Sequence, residues 1–296
     1  MFQFLTFFLV YFFGWLFTAV LSSLPNPASA LGINYGQIAN NLPHPDDVVP
    51  LVKSLGASKI KLYDADPRVL SAFSGTGVEI MVGLGNEYLA PMAQDPSQAQ
   101  SWLKSTLLPH LPAAKVTAVF VGNEVLTFND SSLSAHLLPA MQSLHTALSA
   151  SNLTSHITVT TTHSLAILES SYPPSSGKFR RDLVGPLAPI LSFQAKIGSP
   201  FLINAYPYFA YKASPKQVGL DFVLFQPNQG VVDSASGLRY DNMLFAQIDA
   251  VHSALEKVGF GKLAVHISET GWPSNGDPDE AGATPENAKK YVVDRC

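Results

Sequence analysis

From residue 31 onward the chain repeats one rhythm: a short β-branched or aliphatic run, a few turn residues, then a longer segment of helical spacing. The short runs fall at 31–36, 58–64, 78–85, 116–124, 156–164, 200–209 and 263–269. After the first run, Val48, Val49, Leu51, Val52 and Leu55 share one helical face, and Gly56 suits the position just past the helix end. The stretch 220–242 breaks the rhythm and reads as a hairpin inserted above the sheet. Strands alternating with helices of this length predict a parallel sheet. Seven of them in succession favour a (β/α)8 TIM barrel over a doubly wound sheet, and no G-x-G-x-x-G follows the first strand. No linker or low-complexity segment divides residues 31–296, so one domain is expected there.

Residues 1–30 differ in kind. They carry no charge, break at Pro25-Asn26-Pro27 and end on the small-x-small triplet Ala28-Ser29-Ala30. Phe4 to Leu21 approaches the length of a membrane span, but the proline-rich break and the triplet favour a secretory signal peptide cleaved after Ala30. A secreted protein of the extracellular space or cell wall follows, without a membrane span once cleaved. Cys296 is the single cysteine, so no disulfide forms within the chain. Asn129-Asp-Ser and Asn152-Leu-Thr are glycosylation sequons that export would make usable. The net charge of −4 and the lack of a Lys/Arg-rich run argue against a nucleic-acid partner.

In a barrel of this kind reacting groups stand at the C-terminal ends of strands. Three glutamates occupy such ends: Glu87, Glu124 and Glu269. Taken singly, each could simply reach solvent from a loop; three on one barrel face shift the reading toward chemistry. Cleaving a glycosidic bond needs two carboxyl groups beside the anomeric carbon, one protonated as acid and one ionised to attack or to activate water. No metal or other cofactor is required, and neither H-x-x-x-H nor a cysteine pair is present; His44, His163 and His266 read as packing or loop residues. G-x-S-x-G is absent too, which leaves a serine nucleophile without its signature. Glu124 in "VGNEV" and Glu87 in "LGNEY" are rivals for one of the two roles, and spacing does not choose between them. Asn123 could donate to a sugar 2-hydroxyl.

"NYGQIANNLP", "KLYD", "VGNEV", "NAYPYFAYK", "LDFVLF" and "SETGWPS", in that order, resemble the plant family-17 glycoside hydrolases, the endo-β-1,3-glucanases. The resemblance runs from Leu31 to about Tyr291. It implies a (β/α)8 barrel, a mechanism that retains anomeric configuration and a β-1,3-glucan as substrate, either callose or a microbial wall glucan. It also implies Glu124 as acid and base and Glu269 as nucleophile, and it leaves Glu87 as a loop residue near the cleft. The two catalytic carboxyls of a retaining enzyme stand about 5 Å apart, with the acid the harder of the two to ionise. Sugar rings present apolar faces, so Tyr63, Tyr206, Phe209 and Trp272 are candidate binding residues beside Asn123, with core packing as the bland alternative for each. A monomer is expected.

The family pattern continues past "NAKKY" into an eighth strand and helix, with a Glu and a Lys beside the nucleophile, where this sequence reads "YVVDRC". An incomplete barrel with open first and seventh strands is therefore expected, and open edges invite aggregation. Three functions stay in view: an active endo-β-1,3-glucanase, a truncated and catalytically impaired glucan-binding product, and a retaining glycosidase of another linkage preference.

Overall fold

The computed structural model describes residues 32–128 and 130–295. Residues 1–31, which include the expected signal peptide, the sequon asparagine Asn129 and Cys296 lie outside the described residues. Seven parallel strands form one sheet in chain order: β1 Gly32–Tyr35, β2 Lys59–Leu62, β3 Glu79–Leu84, β4 Lys115–Asn123, β5 Thr158–Ser164, β6 Phe201–Asn204 and β7 Val265–Glu269. Each strand pairs with the next, and among the described residues β1 and β7 end the sheet. The sheet curls into a (β/α)8-type barrel with helices outside, as the strand–helix rhythm predicts.

Local chemistry starts and stops these elements. In the first helix, Pro45–Ser54, the His44 side chain caps the Asp46 N–H, Pro45 takes the first turn, and Gly56 at φ +68° provides the left-handed exit. Its buried face is narrower than expected. Val48 and Val52 are buried and Val49 packs beside them, whereas Leu51 and Leu55 are 55% and 65% exposed. One i, i+4 stripe suffices to seat a ten-residue helix on a sheet, and the neighbouring stripe stays outside. The sixth run is shorter than expected as well. It ends at Asn204, because Pro207 fixes φ at the first turn of a new helix, Pro207–Ala213.

The insert before the last strand is only in part a hairpin. It holds a short helix, Leu220–Val223, and a two-residue ribbon pairing Val231–Val232 with Arg239–Tyr240. A second ribbon, Leu168–Ser170 with Lys178–Phe179, was not legible in the sequence. Buried Asp233 ties the first ribbon to the 174–176 turn by accepting from the Ser175 N–H at 2.7 Å and its hydroxyl at 2.8 Å. A small second core of Tyr208, Val223, Leu224, Trp272 and Tyr291 caps the main one. Asn152 lies exposed in the turn after the Ser131–Ala150 helix.

His163 of β5 is fully buried and stacks on Phe201 at 4.8 Å between centroids, and among the described residues neither ring nitrogen has a hydrogen-bond partner. Burial pushes its pKa from the ordinary 6.5 down to about 4. Between those values the unfolded chain binds a proton that the folded one refuses, so stability falls as pH drops through that window. A shift of this size corresponds to about 3 kcal/mol. Urea midpoints measured at pH 7 and pH 4.5 should therefore differ less in His163→Leu than in the parent. Equal differences would assign the acid loss to other groups.

Candidate active site

Both strand-end glutamates sit where the sheet register slips. On β4 the pairing with β5 shifts between Phe120 and Asn123, Gly122 adopts φ +67°, and Glu124 itself is left-handed at φ 54°, ψ 25°. A side chain at Gly122 would meet Val125 Cγ2 at 2.5 Å. The Glu124 N–H still donates to the Thr162 carbonyl at 3.0 Å, so the turn stays pinned to the sheet. A left-handed non-glycine residue costs roughly 1–2 kcal/mol, and such strain gathers at functional sites. On β7 the register with β6 shifts between Ile267 and Glu269, setting Glu269 opposite Asn204. Ser268 and Glu269, neighbours that regular pleating would send to opposite faces, both accept from Lys61.

Glu269 is 8% exposed, and both of its oxygens are held. Lys61 Nζ, from β2, donates to Oε1 at 2.6 Å; Tyr206 donates its hydroxyl to Oε2 at 2.8 Å. Among the described residues Glu124 is held on one oxygen, where Asn204 Nδ2 donates to Oε1 at 2.8 Å. Asn123 Oδ1 accepts from the Thr162 hydroxyl at 2.7 Å, and the Asn123 N–H donates to Asn86 Oδ1 at 2.9 Å. Burial pulls the Lys61 pKa down, and the charges of Glu269 and Glu124 offset this only in part. Tyr63 and Tyr206 are pushed well above the ordinary tyrosine value by burial first, then by the charge of Glu269. Glu124 raises both as well, so the two carboxyls act on one cluster of side chains.

The other sequence candidates divide. Tyr206 touches Glu269 directly, and Tyr63 faces it beneath Lys61, 40% exposed. Phe209, 61% exposed, lies edge-on to Tyr206 at 5.5 Å. Trp272 is placed differently from the others. It is buried in the second core, its indole N–H donates to the Gly282 carbonyl at 2.8 Å, and Tyr208 packs against its ring. Glu87 is exposed in the 3-10 turn Asn86–Tyr88, its carboxylate folded back toward Gly85. His44 is a helix cap and His266 is exposed on β7. Among the described residues no group of His, Cys, Asp and Glu is placed to hold a metal ion, and no helix is long and apolar enough to cross a membrane.

Sequence reasoning missed Lys61, Asn204, Thr162 and Asn86. Lys61 had a signal: a lysine in the middle of "SKIKLYD", a run that reads as a buried strand, must find a carboxylate inside. Asn204, buried within "FLINAY", had the weaker signal of an amide among apolar neighbours.

A parallel barrel with two strand-end carboxyls acting on one cluster of side chains is the arrangement a glycoside hydrolase needs. Residues 31–295 match the profile of glycosyl hydrolases family 17, and the chain belongs to that family. It is 61% identical over 276 residues to glucan endo-1,3-beta-glucosidase 11 of Arabidopsis thaliana, across 93% of this chain and 65% of that protein. Glucan endo-1,3-beta-glucosidase 10 of the same plant is also 61% identical, over 278 residues, with the same coverage. The chain thus spans 65% of the length of these two relatives. Among solved structures, a beta-1,3-glucanase and allergen of Cryptomeria japonica pollen superposes with a TM-score of 0.84 at 38% identity, covering 88% of this chain and 80% of that one. A plant beta-glucan endohydrolase gives 0.82 at 37% identity, covering 88% and 82%.

Proposed function

We propose that the protein is a secreted, monomeric, retaining hydrolase that cuts internal bonds of β-1,3-glucan, with Glu269 as nucleophile and Glu124 as acid and base. The observation that carries the reading is the unequal support of the two carboxyls. Glu269 is gripped on both oxygens, by a cation and a phenol, which suits a group that must stay ionised and fixed for attack. Glu124 accepts from Asn204 on Oε1, which leaves Oε2 to carry the proton toward the leaving oxygen. Asn123, its side-chain Oδ1 taken by Thr162, has its side-chain Nδ2 to donate to the sugar 2-hydroxyl. Tyr63, Tyr206 and Phe209 offer the apolar ring faces, and Trp272 packs against Tyr208, which in turn meets Phe209. The likeness to plant endo-1,3-glucosidases supports the linkage, and the character of residues 1–30 supports export.

The test is reducing-sugar release by the purified protein from a soluble β-1,3-glucan, with a β-1,4-glucan beside it. Turnover of the first alone is expected. Turnover of the β-1,4 polymer would move the protein to another linkage class, and binding without turnover would make it a glucan-binding protein. Asn204→Ala should lower kcat by about 100-fold with little change in KM, because Oε1 of Glu124 loses the Asn204 donor and the proton is no longer confined to the productive oxygen. A rise in KM with kcat unchanged would instead make Asn204 a substrate-binding contact.

A further inference from the structure

We propose that Lys61 is a positioning residue of this reaction: its buried ammonium group fixes Glu269 and balances the single negative charge that passes between Glu269 and Glu124 during turnover. The proposal rests on the roles given above for those two glutamates. Lys61 is 5% exposed, with its Nζ 2.6 Å from Glu269 Oε1 and 2.7 Å from the Ser268 hydroxyl. The same nitrogen stands 4.5 Å from the Phe120 ring centroid and 5.2 Å from that of Tyr63. Two aromatic faces and two oxygens replace its water, an enclosure that a buried cation tolerates only beside an anion. The charged groups acting on it are Glu269 from β7 and Glu124 at the end of β4. Tyr63 and Tyr206, whose pKa values lie above their ordinary range, stay neutral.

Charge can be followed through the cycle. The proposed roles start the cycle with Lys61 positive, Glu269 as the attacking anion and the proton on Glu124, so the cluster is neutral. In the first step a Glu269 oxygen bonds to the anomeric carbon and the glycosidic C–O bond breaks. Its electron pair leaves with the oxygen, which takes the Glu124 proton. Glu269 is now a neutral ester and Glu124 an anion, and the sum with Lys61 is again zero. In the second step Glu124 removes a proton from water, the water oxygen bonds to the anomeric carbon, and the ester electrons return to Glu269. In a largely buried site, a cation bonded to one carboxyl and within electrostatic reach of the other spares every intermediate a net charge.

Lys61→Met and Lys61→Arg separate charge from packing. Methionine keeps much of the lysine shape without the charge; arginine keeps the charge and strains the packing. The expected result for Lys61→Met is a fall in kcat of about 100- to 1000-fold. The acid side of its kcat/KM profile should also move up by about one pH unit. Lys61→Arg should keep the parent's acid limb and lie above Lys61→Met in rate. Methionine as active as the parent, or more active than arginine with an unmoved profile, would overturn the proposal. A thermal cycle gives a readout independent of turnover. At pH 7 the Lys61→Met/Glu269→Gln double variant should melt higher than Lys61→Met alone, because the unpaired buried carboxylate is gone. Additive losses in Tm would overturn the pairing. Absence of turnover in the parent would remove the functional reading only, and the thermal cycle would then decide the Lys61–Glu269 coupling by itself.

Discussion

Glu269→Gln should lower glucan hydrolysis on the order of 10^4-fold while leaving the protein folded. The amide keeps the shape of the carboxylate and can still accept from Tyr206, but it cannot form the glycosyl ester. Glu124→Gln should lose a similar factor on a glucan and much less on an aryl glucoside whose leaving group needs no proton. Azide distinguishes the roles further. In Glu269→Ala it replaces the nucleophile and attacks from that face, giving the α-azide. In Glu124→Ala it intercepts the ester from the opposite face, giving the β-azide. The reverse pattern of azide products would exchange the two assignments, and azide without effect on either variant would argue against a covalent intermediate.

Gly83→Ala should damage the barrel floor and the site together. A Cβ there would stand 2.3 Å from the Tyr63 carbonyl oxygen and 2.8 Å from the Phe120 ring. Both neighbours form the enclosure around Lys61, and the first is backbone, which cannot swing aside. β2 and β3 would have to separate at the level of the site. The expected loss is about 3 kcal/mol in urea unfolding, with activity falling beyond what the folded fraction explains. Gly185→Ala is the control. It lies within the Arg181–Ile197 helix, among the described residues nothing beyond that helix's own backbone and its chain neighbours stands within 4 Å of the new Cβ, and stability should rise by about 0.5–1 kcal/mol. Gly83→Ala no worse than Gly185→Ala would mean that the strands relax freely and the tight floor has no consequence.

The division between what was legible and what was not follows the range of the forces. Strand and helix periods are local, so the seven strands, the barrel and the strand-end glutamates could be read from spacing. Choosing Glu124 over Glu87 needed the resemblance to a family, since "GNE" occurs twice. In the fold the two copies differ: Glu124 turns left-handed after a register slip and meets Asn204, whereas Glu87 sits exposed in a 3-10 turn. Nothing in either tripeptide states which will bulge.

Side-chain facing at the margins was the other blind spot. Leu51 and Leu55 belong to the helical pattern of Val48 and Val52 and yet lie outside, because the hydrophobic arc of a helix can be wider than the face its neighbours cover. Trp272 and Phe209 were both read as sugar contacts from their place at strand ends. One lies in the second core and the other is exposed, a difference set by how the 207–226 excursion packs on the 270–291 segment.

The sequence by itself determined the alternation of strands and helices, and the ends of β4 and β7 as the places where carboxyls would stand. The tertiary structure alone decided the company those carboxyls keep. Lys61 and Glu269 are 208 residues apart, and Asn204 and Glu124 are 80 apart. Such partners meet only when the sheet has curled and two register slips have turned the glutamates inward. Periodicity carries information over a few residues, whereas a buried ion pair depends on the closure of the whole barrel.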